Sequence, residues 1–197
     1  MASTPAPDAP PVVVLIPVKA FDQAKKRLSP ALGPGEREAL ARRFAANVLD
    51  AARPLPAVVV CDDDGVAAWA ASSGAQVLWR PGLGLNEAVQ DGVATLASQG
   101  ARRVVVCHSD LPLARSLAWV SRFPGITLVP DRHGLGTNVI GVPTDAGFRF
   151  AYGPNSFERH RAEARRTGRV LRIVRDPSLG WDVDVPDDLA AAEPVRG

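Results

Sequence analysis

Residues 57–107 read AVVVCDDDGVAAWAASSGAQVLWRPGLGLNEAVQDGVATLASQGARRVVVC, and this stretch decides the fold. Three apolar runs, at 57–61, 76–79 and 103–107, are too short for helices and are bounded by Gly, Asp and Pro, so they read as strands. Between them, segments with helical spacing predict helices over 65–72 and 86–98. The strands at 57–61 and 103–107 are apolar almost throughout rather than alternating, so both their faces must be covered. That requirement places them in a mainly parallel sheet joined by right-handed crossovers. The expected architecture is a three-layer α/β/α domain.

Upstream, VVVLI at 12–16 supplies another strand, and a helix is predicted over 35–52. There Pro34 follows Gly33 at the helix start, and Leu40, Phe44 and Val48 recur every four residues on one face. Downstream, the pattern predicts a helix near 114–121, strands at 126–129 and 138–142, a helix over 156–167 and a strand at 170–174. A short helix from Pro186 closes the series. Residues 1–11, MASTPAPDAPP, lack periodicity and are expected to form a disordered leader, with a single domain over 12–192 and a flexible tail at 193–197.

Composition narrows the function. With 46% hydrophobic and 22% charged residues, the 197-residue chain can build a core. Lys and Arg number 23 against 21 Asp and Glu, which excludes nucleic acid or an anionic membrane as the default partner and confines any anion site to a local patch. No aliphatic run approaches the ~20 residues of a membrane span, so a cytoplasmic protein is expected. Cys61 and Cys107 each end an apolar strand and read as inert core thiols, and without CxxC or HExxH a zinc site has no support.

Ligands of such sheets bind beyond the carboxyl ends of the strands, so the loops there are the candidates for chemistry. The first, PVKAFDQAKKRL at 17–28, contains neither GxGxxG nor GxxxxGK[ST], which disfavours Rossmann and P-loop sites. Its cations, Lys19, Lys25, Lys26 and Arg27, suit either a side-chain grip on a polyphosphate or a solvated loop. Asp62, Asp63 and Asp64 read best as a helix cap. Gly82, Gly84 and Asn86 precede a helix that Asn86 is placed to cap. Asp110, left projecting by Pro112, is a candidate Mg²⁺ ligand. In WDVDVPDDL at 181–189, period-two spacing puts Asp182 and Asp184 on one side of an extended segment, where both could face the same metal. Two further stretches, GLGTN at 134–138 and YGPNSF at 152–157, suit a small anion. The second offers a glycine, the Ser156 hydroxyl and free amides at a helix N-terminus, although Ser156 could simply cap the helix. His133 and His160 read as surface or core histidines rather than ligands.

Taken in order, IPVKAFDQAKKRL, GLNEA, SDLPL, GLGTN, YGPNSFERH and DVDVPDDL resemble the guanylyltransferases that make the phosphoenolpyruvate- or 2-phospho-L-lactate-linked precursor of coenzyme F-420. The resemblance runs from about Val12 to Leu189 and implies a GT-A-like nucleotidyltransferase fold. It further implies catalytic roles for Lys19, Lys25 and Asp110, with Lys19, Lys25, Arg27 and Asn86 binding the nucleotide. Thr137, Gly153 and Ser156 would bind the phosphorylated acid, and Asp110, Asp182 and Asp184 would hold Mg²⁺. Two departures stand out: His108-Ser109 replaces a more apolar or smaller pair, and Leu135 replaces a frequent glycine. The implied partners are GTP and phosphoenolpyruvate or 2-phospho-L-lactate, with 3-phosphoglycerate a further candidate, in a monomer or homodimer. Competing readings are a cytidylyl- or uridylyltransferase for another phosphorylated metabolite, and a non-catalytic nucleotide-binding regulatory module.

Overall fold

The computed structural model describes residues 12–192; the leader and tail expected at 1–11 and 193–197 lie outside the described residues. Among the described residues, seven strands form one sheet: β1 (Val12–Pro17), β2 (Ala57–Cys61), β3 (Gln76–Trp79), β4 (Arg103–Cys107), β5 (Ile126–Pro130), β6 (Thr137–Pro143) and β7 (Leu171–Ile173). Their order is β3-β2-β1-β4-β6-β5-β7. Helices α1 (Pro34–Ala52), α2 (Asp64–Ser72), α3 (Leu85–Ser98), α4 (Ser156–Arg166) and α5 (Pro186–Ala192) accompany it.

The three layers follow from the alternation of side chains along each strand. Val14 and Ile16 of β1, with Val59 and Val105, pack against Ala45 and Val48 of α1 and Val66 of α2. Val13 and Leu15, with Val58 and Val104, pack on the other face against Val89 and Val93 of α3 and Phe157 and Ala164 of α4. Each fully buried Val or Leu contributes about 1.5–3 kcal/mol, which explains why both faces are so uniformly aliphatic. α3 approaches the sheet most closely at Gly92, where a Cβ would stand 2.9 Å from Leu15 Cδ2. At the start of α1, Gly33 is the cap and Pro34 the first helical residue, as expected.

The expected sheet is borne out with one exception in strand direction, and one expected helix needs correction. The sheet is mainly parallel, but β6 runs antiparallel to both β4 and β5. Only residues 131–136 separate β5 from β6. A parallel return needs a crossover of about a dozen residues, so the chain can only reverse. The helix expected near 114–121 is reduced to a short 3₁₀ turn at Ala118–Arg122. Asn47 on α1 donates its side-chain amide to the carbonyls of Leu111, Pro112 and Ala114, at 3.0, 3.2 and 3.0 Å. The Leu117 amide donates to Ala51 O at 2.8 Å. These bonds fix the segment to α1 and withhold its carbonyls from a helix.

Candidate functional site

Beyond the carboxyl ends of β1 and β4 lies a cleft of about 290 Å³, lined among others by Lys19, Lys25, Leu85, His108, Ser109 and Asp110. The basic loop reaches it through two short 3₁₀ turns, with a left-handed backbone at Lys25 (φ 55°) between them. That conformation is uncommon for a residue with a Cβ and must be held by what the side chain gains. Lys25 is only 7% exposed; its Nζ donates to Asp110 Oδ2 at 2.7 Å and to Val183 O at 2.7 Å, and lies 3.8 Å from Asp184 Oδ1. Arg27 stays exposed and reaches Asp184 at 3.4 Å. Lys19 is exposed at the cleft wall.

Burial opposes ionisation of Asp110, but the Lys25 ammonium outweighs it and holds the carboxyl below its ordinary range. Asp182 goes the other way: burial, then the neighbouring negative charges of Asp110 and Asp184, push its carboxyl up. Both acids keep one oxygen, Oδ1, buried without a hydrogen-bond partner. Among the described residues, no three His, Cys, Asp or Glu side chains are grouped closely enough to hold a metal ion by themselves. Two buried hard oxygens without a hydrogen bond, that of Asp182 lying 3.8 Å from Arg132 Nη1, beside the Asp184 carboxylate nevertheless suit a divalent cation such as Mg²⁺, which completes its shell with water and phosphate oxygens. The residues present therefore fit that ion.

Between Asp182 and Asp184, Val183 is buried against Leu28, Leu40 and Phe44, while Asp184 lies by Lys25 and Arg27 and Asp182 by Arg132. What fixes this segment was not foreseen. The Arg132 guanidinium lies 4.4 Å over the Trp181 ring, donates to Asp182 O at 2.7 Å and pairs with Asp188. The other Asp188 oxygen accepts the amides of Asp184 and Val185 at 2.8 and 2.9 Å. An acid at the third position of a helix is a known capping signal, so Asp188 had a sequence signature. Arg132 had none, because its partners lie about fifty residues away.

A second group lies alongside. Cys107 pairs with Val139, and the His108 amide donates to Asn138 O at 3.0 Å, so Thr137 runs beside Ser109. The Thr137 amide donates to Ser156 Oγ at 3.1 Å, and His160 Nδ1 lies 3.0 Å from Thr137 Oγ1. Gly153 has φ +121°, and a Cβ there would lie 3.2 Å from Arg159 Nη2. Thus Thr137 and Ser156 come together beside Gly153. The free amides expected at the start of α4 are corrected: the Ser156 amide donates to Gly153 O at 3.1 Å and that of Phe157 to Leu135 O at 3.0 Å. Asn155, not Ser156, is the helix cap. Those two amides are therefore spent within the chain, and the Thr137 and Ser156 hydroxyls are further donors there.

Asn86 is corrected as well. Gly84 caps α3, and the Asn86 amide is spent on Tyr152, accepting from its N–H at 2.6 Å and donating to its carbonyl at 3.3 Å. It ties the α3 loop to the turn that carries Gly153. Asp131 shapes the neighbouring loop by accepting the amides of Leu135 and Gly136 at 2.9 and 2.7 Å. A Cβ at Gly136 would meet this carboxylate at 2.7 Å, so a larger residue there would displace it. Asp63 caps α2 as expected, accepting from Val66 N at 2.9 Å. Both cysteines are buried and free. His133 is exposed and His160 fully buried. Among the described residues, no helix is long and apolar enough to cross a membrane.

A mainly parallel sheet with acids and bases gathered at its carboxyl edge is the frame of a nucleotidyltransferase. The fold is shared with solved structures: a chain from Desulfovibrio desulfuricans described as a nucleotide-diphospho-sugar transferase superposes with TM-score 0.71 at 20% identity, over 90% of this chain and 84% of that one. A 4-diphosphocytidyl-2C-methyl-D-erythritol synthase superposes with TM-score 0.58 at 14% identity, over 92% and 96%. Residues 12–192 match the CofC-like guanylyl transferase family, and the chain belongs to that family. Among its relatives are the phosphoenolpyruvate guanylyltransferases of Sphaerobacter thermophilus, 38% identical over 90% of each chain, and of Conexibacter woesei, 37% identical over 90% of this chain and 85% of the relative. A nucleotide and a phosphorylated substrate are the partners that this membership implies.

Proposed function

We propose that the protein transfers GMP from GTP to the phosphate of phosphoenolpyruvate, releasing pyrophosphate, as a step in the biosynthesis of coenzyme F-420. The observation that carries the reading is the buried Asp110 oxygen that no hydrogen bond uses, on a carboxylate held at 2.7 Å by the Lys25 ammonium, with the Asp182 and Asp184 carboxylates beside it. Asp110, Asp182 and Asp184 would hold Mg²⁺, which, when bound, neutralises phosphate charge and polarises the phosphorus under attack.

No general base is needed. A phosphate monoester with a second pKa near ~6 is already largely a dianion at neutral pH, so its oxygen can attack the α-phosphorus of GTP directly. One P–O bond forms, the bond to the β-phosphate oxygen breaks, and pyrophosphate leaves with the electron pair. The obstacle is repulsion between anions. Lys19 at the cleft wall and Lys25 beneath it supply compensating charge and alignment for the triphosphate. Arg27, at the exposed rim, would guide GTP inward. Thr137 and Ser156 would receive the acid, with Gly153 permitting close approach. Asn86 would act on the nucleotide side by fixing the loop before α3.

Pyrophosphate release from GTP, Mg²⁺ and phosphoenolpyruvate, with CTP and UTP in parallel, tests the reading. Release dependent on Mg²⁺, on the acid and on GTP is expected. Preference for CTP or UTP would transfer the site to another nucleotidyltransferase reaction, and absence of release with all three would remove the catalytic reading. 2-Phospho-L-lactate and 3-phosphoglycerate share the same phosphate and carboxylate, so they belong in the same assay.

A further inference from the structure

We infer that His160 is a positioning residue that forces the Thr137 hydroxyl to donate its proton to the incoming phosphorylated acid. The inference rests on the reading above that this acid binds at Thr137 and Ser156. His160 is fully buried on α4, with its ring packed edge-on against Tyr152 at 4.9 Å between centroids. Its Nε2 accepts the Ala151 amide at 2.9 Å. A nitrogen that accepts carries no proton, so in the neutral ring the proton must sit on Nδ1. Nδ1 lies 3.0 Å from Thr137 Oγ1 and therefore donates to it.

The consequence falls on Thr137. Its oxygen is already an acceptor, so its own proton must point elsewhere, and among the described residues it has no protein acceptor. Ser156 is in the same condition, since its Oγ accepts the Thr137 amide and donates to nothing in the described chain. Thr137 and Ser156 are 2% and 3% exposed, so neither hydroxyl is freely solvated. Two buried hydroxyls held as acceptors by the protein, with both protons unspent, form a receptor for an oxyanion rather than for a cation or a neutral donor. The ring keeps the required protonation state because burial, helped by the nearby Arg159 charge, lowers its pKa to about 4.

The test uses His160→Phe, which fills the volume but cannot exchange hydrogen bonds, and His160→Gln, which offers one acceptor and one donor on neighbouring atoms. Thr137→Val supplies the reference. In steady-state assays at neutral pH, His160→Phe is expected to raise the KM for phosphoenolpyruvate about tenfold with the KM for GTP unchanged, and His160→Gln to recover most of that loss. In the Thr137→Val background, His160→Phe should add little, since the two act through one hydroxyl. A purely structural role would lower melting temperature or kcat without moving the acid KM selectively. If Thr137→Val raises the acid KM and His160→Phe does not, the inference fails while the acceptor reading stands. If Thr137→Val itself leaves the acid KM alone, the acceptor reading fails first. Equal effects of His160→Phe on both substrates, in a folded protein, also overturn the inference.

Discussion

Replacing Lys25 with methionine tests how the site is held together. The substitution keeps most of the chain length and removes the ammonium that bonds Asp110 Oδ2 and Val183 O, each at 2.7 Å. Asp110 then remains in place without its counter-charge. Breaking a buried ion pair from one side costs about 3–5 kcal/mol. The Asp110 side chain is 25% exposed, so solvent screens part of this and the lower figure of about 3 kcal/mol applies. For a chain of this size that corresponds to a melting temperature lower by roughly 6–12 °C. The pH dependence is equally specific. In the parent, Lys25 depresses the Asp110 carboxyl, so this contribution is present above the ordinary carboxylate range and is lost as pH falls through the depressed value. In the variant, burial dominates and raises that carboxyl, which then takes a proton early and relieves the unpaired charge. The deficit should be largest near pH 7 and shrink in acid, and Mg²⁺ should recover part of it at neutral pH. Urea denaturation of both proteins across this range, with and without Mg²⁺, measures it. Equal stability at pH 7, or a deficit that stays constant into acid, would show that the 2.7 Å pair does not govern the Asp110 charge.

Other perturbations have equally defined outcomes. Asp110→Asn and Asp184→Asn should each lower turnover about 100-fold or more with circular dichroism unchanged, because each removes charge from the phosphate-transfer site; near-normal turnover would take that residue out of the chemistry. Ser156→Ala should raise the acid KM about 2- to 10-fold while leaving that for GTP alone, and Gly153→Val should be worse, since the φ of +121° there disfavours a branched residue. His160, at about 4 in the fold against 6.5 as a free side chain, takes its proton in the unfolded chain first. Its contribution is therefore complete above pH 6.5 and fades as pH falls toward 4, by about 3 kcal/mol. Stability curves of the parent and His160→Gln should converge or cross over that interval, and parallel curves would contradict it.

Much of this was legible because it is local. The parity of Val13 to Ile16, the Gly33-Pro34 helix start and the Asp63 cap are short-range rules that the chain obeys. The burial of Val183 between Asp182 and Asp184 is likewise a short-range pattern. The misses are non-local. Asn47 unmakes a helix beginning 67 residues later by taking its carbonyls, and nothing in the sequence around 114–121 announces that. Arg132 holds Asp182 and Asp188 across about fifty residues. Asn86 has the composition of a helix cap but is drawn away by Tyr152, 66 residues on. The antiparallel β6 could have been read from the six residues that join it to β5, since no crossover fits in that length. Free amides at the start of α4 were expected from the Gly-Pro-Asn-Ser turn, yet Gly153 O and Leu135 O already accept them.

The central claim, that acids and bases at the carboxyl edge of this sheet join a GMP group to a phosphorylated carboxylic acid, is tested most directly by mass spectrometry of the products formed from GTP and Mg²⁺ with phosphoenolpyruvate, 2-phospho-L-lactate and 3-phosphoglycerate in competition. The account predicts a GMP adduct of phosphoenolpyruvate as the main product, with one pyrophosphate released per adduct. Pyrophosphate without an adduct, or an adduct that persists when Asp110 and Asp184 are both replaced by asparagine, would contradict it.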